Sequence, residues 1–190
     1  MFLNRIKLLI NRYLKARSFG FLFFAARYFY IPKSIKINNK IINLNLPDEY
    51  GVKITFVEIF LDDTYKLGWI KNFAKKKNID IRSILDVGGN CGLTSMLFRS
   101  HFSKSIIHCY EPNLEIINYL KYNAELLNFD YYNEAVGDKK GSVKLNISKN
   151  DSILSHISSD ESGATQQISF DMAFKRFGVD NLDIVKMDCE

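Results

Sequence analysis

The stretch Ser83-Ile84-Leu85-Asp86-Val87-Gly88-Gly89-Asn90-Cys91-Gly92 decides how this chain folds. Its first five residues read as a short apolar strand, and Leu93 to about His101 carries helical spacing. Between them lies a turn rich in glycine, the residue that lets a backbone approach a ligand closely and adopt positive φ. The spacing narrows the ligand. A dinucleotide loop needs Gly-x-Gly-x-x-Gly and a phosphate-binding loop ends in Gly-Lys-Ser/Thr; this turn has neither. With no pyrophosphate to cradle, a nucleoside carrying an amino-acid tail is the better match.

Downstream, Ser105 to Glu111 reads as the next strand, and Pro112-Asn113 opens a helix with Leu114, Ile117, Leu120, Ala124 and Leu127 at helical spacing. Tyr131 to Val136 is a third strand. The turn Gly137-Asp138-Lys139-Lys140-Gly141 leads into a strand over Ser142–Ile147, and Ser148 to Gly163 is a polar, mobile loop. A short helix near Asp171–Phe177 precedes a last strand, Leu182 to Asp188. Strands alternating with helices predict a mostly parallel sheet with ligands at its carboxyl ends. Glu111 closes the second of these strands, nineteen residues after Gly92. A carboxylate there can accept both hydroxyls of an adenosine ribose, as the corresponding acid does in dinucleotide folds.

Upstream, Ile35-Lys36-Ile37 and Ile41 to Leu46 alternate around Asn38-Asn39-Lys40, a hairpin signal, and Thr64 to Lys77 reads as a helix. Residues 2–17 predict an amphipathic helix with Phe2, Ile6, Leu9, Ile10 and Tyr13 on one face, followed by an aromatic run up to Pro32. Nine Lys/Arg and no acids precede Asp48, whereas the rest holds seventeen basic against twenty-one acidic residues. The basic character thus belongs to the arm, and no nucleic-acid partner is expected from it. The arm reads either as a helical cap packed on the main domain or as a surface-lying membrane anchor through residues 1–30; a partner-binding helix is the third reading. Its longest uncharged run, Ser18 to Ala26, is too short to cross a bilayer. Cys91, Cys109 and Cys189 match neither a zinc spacing nor a disulfide framework, so no metal is expected and a cytoplasmic location is the default, with peripheral attachment to the inner membrane face as the alternative.

These pieces, in order, resemble the FkbM family of S-adenosylmethionine-dependent methyltransferases. The resemblance rests on Asp86 to Gly92, Tyr110-Glu111-Pro112-Asn113, Glu134-Ala135-Val136-Gly137-Asp138 and Asp183 to Glu190, with Glu58 to Tyr65 as lead-in. It spans roughly residues 53–190 and leaves the arm outside. It implies a class I, Rossmann-like α/β fold in three layers, with an arm over 1–32, a hairpin and helix over 33–80, and a domain binding S-adenosylmethionine over 81–190. It further implies that Asp86, Gly88 and Gly92 shape the pocket for the methionine end, that Gly89 and Asn90 bind the cofactor with them, that Glu111 takes the ribose, and that Asn113, Glu134 and Ala135 border the adenine. Gly89 stands where the family often has alanine, a change that would only add room. The family pattern continues with Gly-Ala-Glu and further strands, so the sheet is expected to be incomplete on its C-terminal side and to self-associate at the exposed last strand.

Methyl transfer to a hydroxyl needs alignment and a nearby base. Asp188 or Glu190 is the candidate base, with Lys186 as its orienter; Asp188 could instead bind the cofactor's ammonium. Cys91 reads as a bystander at the helix start. The expected acceptor is a sugar, glycan or small-metabolite hydroxyl. A non-catalytic cofactor-binding module and an RNA methyltransferase are the alternatives.

Overall fold

The computed structural model describes residues 2–23, 31–146, 152, 156–158 and 163–188. The aromatic run over 24–30, most of the polar stretch 147–162 and the candidate base Glu190 lie outside the described residues.

Helix α1 (Phe2–Ser18) is followed by a hairpin of β1 (Ser34–Ile37) and β2 (Lys40–Asn43). Asn38 and Asn39 both have positive φ (49° and 66°), as a two-residue turn between right-twisted strands requires. Then come α2 (Tyr50–Phe56), a π-helical turn (Val57–Leu61) continuous with it, and α3 (Leu67–Lys77). The α/β part comprises β3 (Ser83–Val87), α4 (Leu93–His101), β4 (Ile106–Tyr110), α5 (Ile117–Leu127) and β5 (Asp130–Tyr132). Four short strands, β6 (Ala135–Gly137), β7 (Gly141–Asn146), β8 (His156–Ser158) and β9 (Thr165–Ser169), precede α6 (Phe170–Lys175) and β10 (Ile184–Met187).

The fold is mixed α/β. Its main sheet has the order β10-β3-β4-β5, every pairing parallel. All five residues of β3 are buried, as a parallel strand covered on both faces must be. Alternation sends Ile84, Ile107 and Cys109 into one core with Met96 and Phe98 of α4 and Leu120 of α5. Ile35, Ile37, Val52, Phe56 and Phe60 join that same core, so hairpin and lead-in pack with the sheet. Leu85, Val87 and Tyr110 face the other way, against Ala173 of α6, Phe177 and Ile168.

Three expectations are corrected. The single strand read over Tyr131–Val136 is two: β5 stays in the main sheet, while β6 joins a second sheet ordered β6-β9-β7-β8. The break falls where Asn133 turns aside to donate from Nδ2 to the Glu111 carbonyl (2.9 Å). Within the polar stretch, β8 pairs with β7, and β9 was not foreseen. Lastly, α1 does meet the body, but not through its apolar face. Ala16 packs with Val57 and Leu61, Arg12 grips Asp62 through two hydrogen bonds (2.7 and 2.6 Å), and Lys15 pairs with Asp63 (3.7 Å). Ile6, Leu9, Ile10 and Tyr13 stay exposed. No helix among the described residues is long and apolar enough to cross a membrane. As expected, β10 is an edge of the main sheet, and Val185 and Met187 are exposed there.

Candidate functional site

From β3 the chain moves outward to β4 and then β5, but β10 lies on the opposite side of β3. Connections therefore diverge at the carboxyl ends of β3 and β10, and such a switch point opens a crevice. A cleft is found there, with about 160 Å³ accessible to water, on the order of ten times the ~10–15 Å³ that one ordered water needs. Gly88 to Cys91 form one side, Glu111 and Pro112 a second, and Lys186 and Asp188 a third. Val52, Thr55, Ile59 and Tyr65 close it from the lead-in, and Ser152 from the stretch beyond β7.

The glycine turn is built on alternate left-handed residues: Gly88 (φ 73°), Asn90 (φ 49°) and Gly92 (φ 90°). At Gly92 the positive φ favours glycine, and a Cβ there would also crowd Leu120 Cδ1 at 3.0 Å. Gly89 contradicts the expectation of spare room. A Cβ there would sit 2.0 Å from the Cys109 Sγ, so the thiol of β4 already occupies that space. Burial pushes the Cys91 thiol up to about 12 and the Cys109 thiol well above its ordinary range, which suits packing and not nucleophilic attack.

Glu111 is 7% exposed and lines the cleft. One carboxylate oxygen accepts the Asn90 backbone N–H and the other the Asn113 backbone N–H, each at 2.8 Å. These bonds aim the group and leave further lone pairs for a ligand. Burial raises its pKa; the two amides and Lys186 pull the other way but do not overcome it. Asn113 is buried, its Oδ1 accepting from the Glu115 amide, while Nδ2 has no hydrogen-bond partner among the described residues.

Lys186 is 8% exposed and joins the third side to the glycine turn. Its Nζ donates to the carbonyls of Val87 (3.2 Å) and Gly88 (2.8 Å), and lies 3.2 Å from Asp86 and 3.9 Å from Asp188. Burial lowers its pKa, but Asp86, Tyr65 and Asp188 outweigh this and the net direction is up, so the ammonium stays charged. Tyr65 donates its hydroxyl to Asp188 (2.8 Å). Burial, then that bond, pushes the phenol up to about 12.

The structure thus brings Gly88, Gly89, Asn90, Glu111, Lys186 and Asp188 to one cleft. It places five others differently. Gly92 sits at the start of α4 beside Leu120, Phe129 and Asn123 and does not line the cleft. Asp86 is fully buried behind the turn, accepting from Ser95 (2.7 Å) and facing Lys186, so it positions the lysine without lining the cleft. Asn113 supports Glu111 from behind. Glu134 is held by Arg176 in a two-pronged ion pair, and Arg176 lies 4.5 Å above the Tyr132 ring. Neither Glu134 nor its neighbour Ala135, which is buried in β6, lines the cleft. Sequence reasoning assigned no role to Tyr65 or Ser152 and read no helix over α2. A signal for α2 existed, since Val52, Phe56 and Ile59 recur at i, i+4 and i+7. Ser152 carries none: Asn90 Nδ2 donates to its hydroxyl (3.2 Å), which donates in turn to Glu49 (2.6 Å), a partner 103 residues away.

Fold and cleft define the class: a mixed α/β protein with a crevice at the switch point of a four-stranded parallel sheet. Comparison with protein-family models, with curated proteins and with solved structures found no match to this chain.

Proposed function

We propose that this chain is a Rossmann-like, class I methyltransferase unit that binds S-adenosylmethionine and methylates a hydroxyl of a sugar, glycan or small metabolite. One observation carries the reading: a buried carboxylate, Glu111, held by two backbone amides at the edge of a cleft walled by a glycine turn. The cleft suits this cofactor by its donor set. It offers a carboxylate acceptor for a ribose diol and close backbone for an amino-acid tail. The cofactor supplies an electrophilic methyl group when bound. Glu111 would hold the ribose hydroxyls, while Gly88 to Asn90 and the first turn of α4 would border the tail, where the positive end of the helix favours a carboxylate. Asp188 stands on the acceptor side, where a base must take up a hydroxyl proton. Tyr65 and Lys186 orient its carboxylate.

Titration calorimetry with S-adenosylmethionine tests the reading. Glu111→Ala should weaken binding by about 100-fold, the equivalent of roughly 3 kcal/mol in hydrogen bonds to a charged group, measured below the variant's urea midpoint. That midpoint should fall, because the Asn90 and Asn113 amides lose their acceptor. Wild-type affinity in that variant would end the proposal. In a methyl-release assay with an accepted hydroxyl, Asp188→Asn should lower kcat about 100-fold or more at unchanged cofactor affinity if Asp188 is the base. A loss of affinity instead assigns it to the cofactor's ammonium.

A further inference from the structure

We propose that α1 docks the protein onto an anionic membrane surface, lying in the interface without crossing it. The argument starts from which side of the helix is already taken. At about 100° per residue, Arg12, Lys15 and Ala16 occupy one arc, and this arc is fixed to the π-helical turn through Asp62, Asp63, Val57 and Leu61. The opposite arc, also about 100° wide, holds Leu3, Ile6, Ile10, Tyr13 and Leu14. Their exposures are 71, 37, 52, 45 and 59%, so an apolar stripe faces away from the body. A globular helix normally turns such a stripe inward. Here two ion pairs hold it outward.

Charge selects the occupant. The helix carries Arg5, Lys7, Arg12, Lys15 and Arg17 and no acidic residue. Lys7 and Arg17 border or interrupt the outward stripe, where long cationic side chains can bury their stems and reach phosphates. RNA would use the charges but not five exposed aliphatic and aromatic side chains. A second copy would bring like charges together along the same stripe. A lipid surface bearing negative headgroups satisfies both features at once.

Vesicle co-sedimentation of the full chain tests this. Vesicles of equal parts phosphatidylglycerol and phosphatidylcholine should carry the protein down, and phosphatidylcholine alone should carry at least tenfold less. Each basic residue near such a surface contributes about fivefold, from about 1 kcal/mol per charge, so Lys7→Glu with Arg17→Glu should release the protein by tenfold or more. Ile10→Asp with Leu14→Asp should do the same; both positions are exposed, and an unchanged melting temperature would show that the fold is kept. Retention of vesicle binding in the Ile10/Leu14 variant overturns the proposal, as does absence of binding to the anionic vesicles at low salt. A dimer abolished by that variant, with no vesicle binding, gives the stripe to a second copy and overturns it equally. So does salt-sensitive RNA binding that survives the variant while no vesicle binding is seen.

Discussion

The two ends of the parallel sheet are built on opposite rules. At the amino ends of the strands, polar groups close on one another. The Arg99 guanidinium, 9% exposed, donates to the carbonyls of Leu127, Ser103, Ser105 and Asn128 at 2.6–3.1 Å. Asp183 accepts from the backbone of Arg82 (2.7 Å) and Ser83 (2.9 Å) and from the Ser83 hydroxyl (3.0 Å), tying β10 to β3. At the carboxyl ends, three residues of one turn are left-handed, the Asn113 amide keeps a spare donor, and a buried carboxylate faces a cleft. The closed end stabilises the sheet; the open end keeps hydrogen-bonding capacity for something not of the chain. Complete partners thus mark the stabilising end, whereas a lone orphaned atom does not mark a site: His108 Nδ1, in β4 and away from the cleft lining, is also buried with no hydrogen-bond partner among the described residues.

The largest effect should come from breaking the closed end. Arg99→Leu leaves four carbonyls without their donor, and urea unfolding should show a loss of about 3–5 kcal/mol. Arg99→Lys should recover only part of it, because an ammonium cannot span the fork. A loss below about 1 kcal/mol would mean that water replaces the guanidinium and that the contrast between the ends is overstated.

At the open end the prediction is about space. Gly89→Ala should cost about 1–3 kcal/mol through overpacking against Cys109, and Cys109→Ala in the same chain should return most of it. The coupling from the double-mutant cycle should exceed about 0.5 kcal/mol. Additive costs would show that the turn, and not the thiol, sets the requirement.

The smallest effect sharpens the contrast through pH. Burial raises the Glu111 pKa, so the group takes up a proton at higher pH than an exposed glutamate. A ribose-accepting role needs the carboxylate. Cofactor affinity should therefore fall on acidification, beginning at higher pH than an exposed glutamate would cause, by at most about tenfold per pH unit below the raised pKa. Stability without ligand runs the other way. A carboxyl whose folded pKa is raised stabilises the fold below its unfolded pKa and loses that contribution as pH rises through the folded one. Glu111→Gln should flatten both profiles. Parallel slopes in wild type and variant would remove Glu111 from the binding step.

How much of this was legible in the sequence depended on distance along the chain. The α/β alternation, the glycine turn, the hairpin and Glu111 at the end of β4 could be read, because each is set by local periodicity or turn chemistry. Strand β9 could not. Its Thr165-Gln166-Gln167 lacks apolar alternation, and Gln167 is buried only because its Nε2 reaches the Lys139 carbonyl (2.9 Å). The side of α1 that meets the body was hidden for the same reason, since Arg12 finds Asp62 fifty residues away. Glu134 looked like a site residue until Arg176, forty-two residues on, accounted for it. Local pattern located the cleft. Pairings over long separations decided which side chains enter it.

Those long separations also carry an entropic cost. The units from β3 to β5 close through neighbours, but Lys186 meets Val87 and Gly88 across 99 and 98 residues. Contacts so far apart carry a larger loop-closure entropy than the neighbour contacts within β3 to β5. Closing the third side of the cleft therefore costs more chain entropy than closing the other two, and a ligand that bridges it to the glycine turn would act as a clasp on that closure.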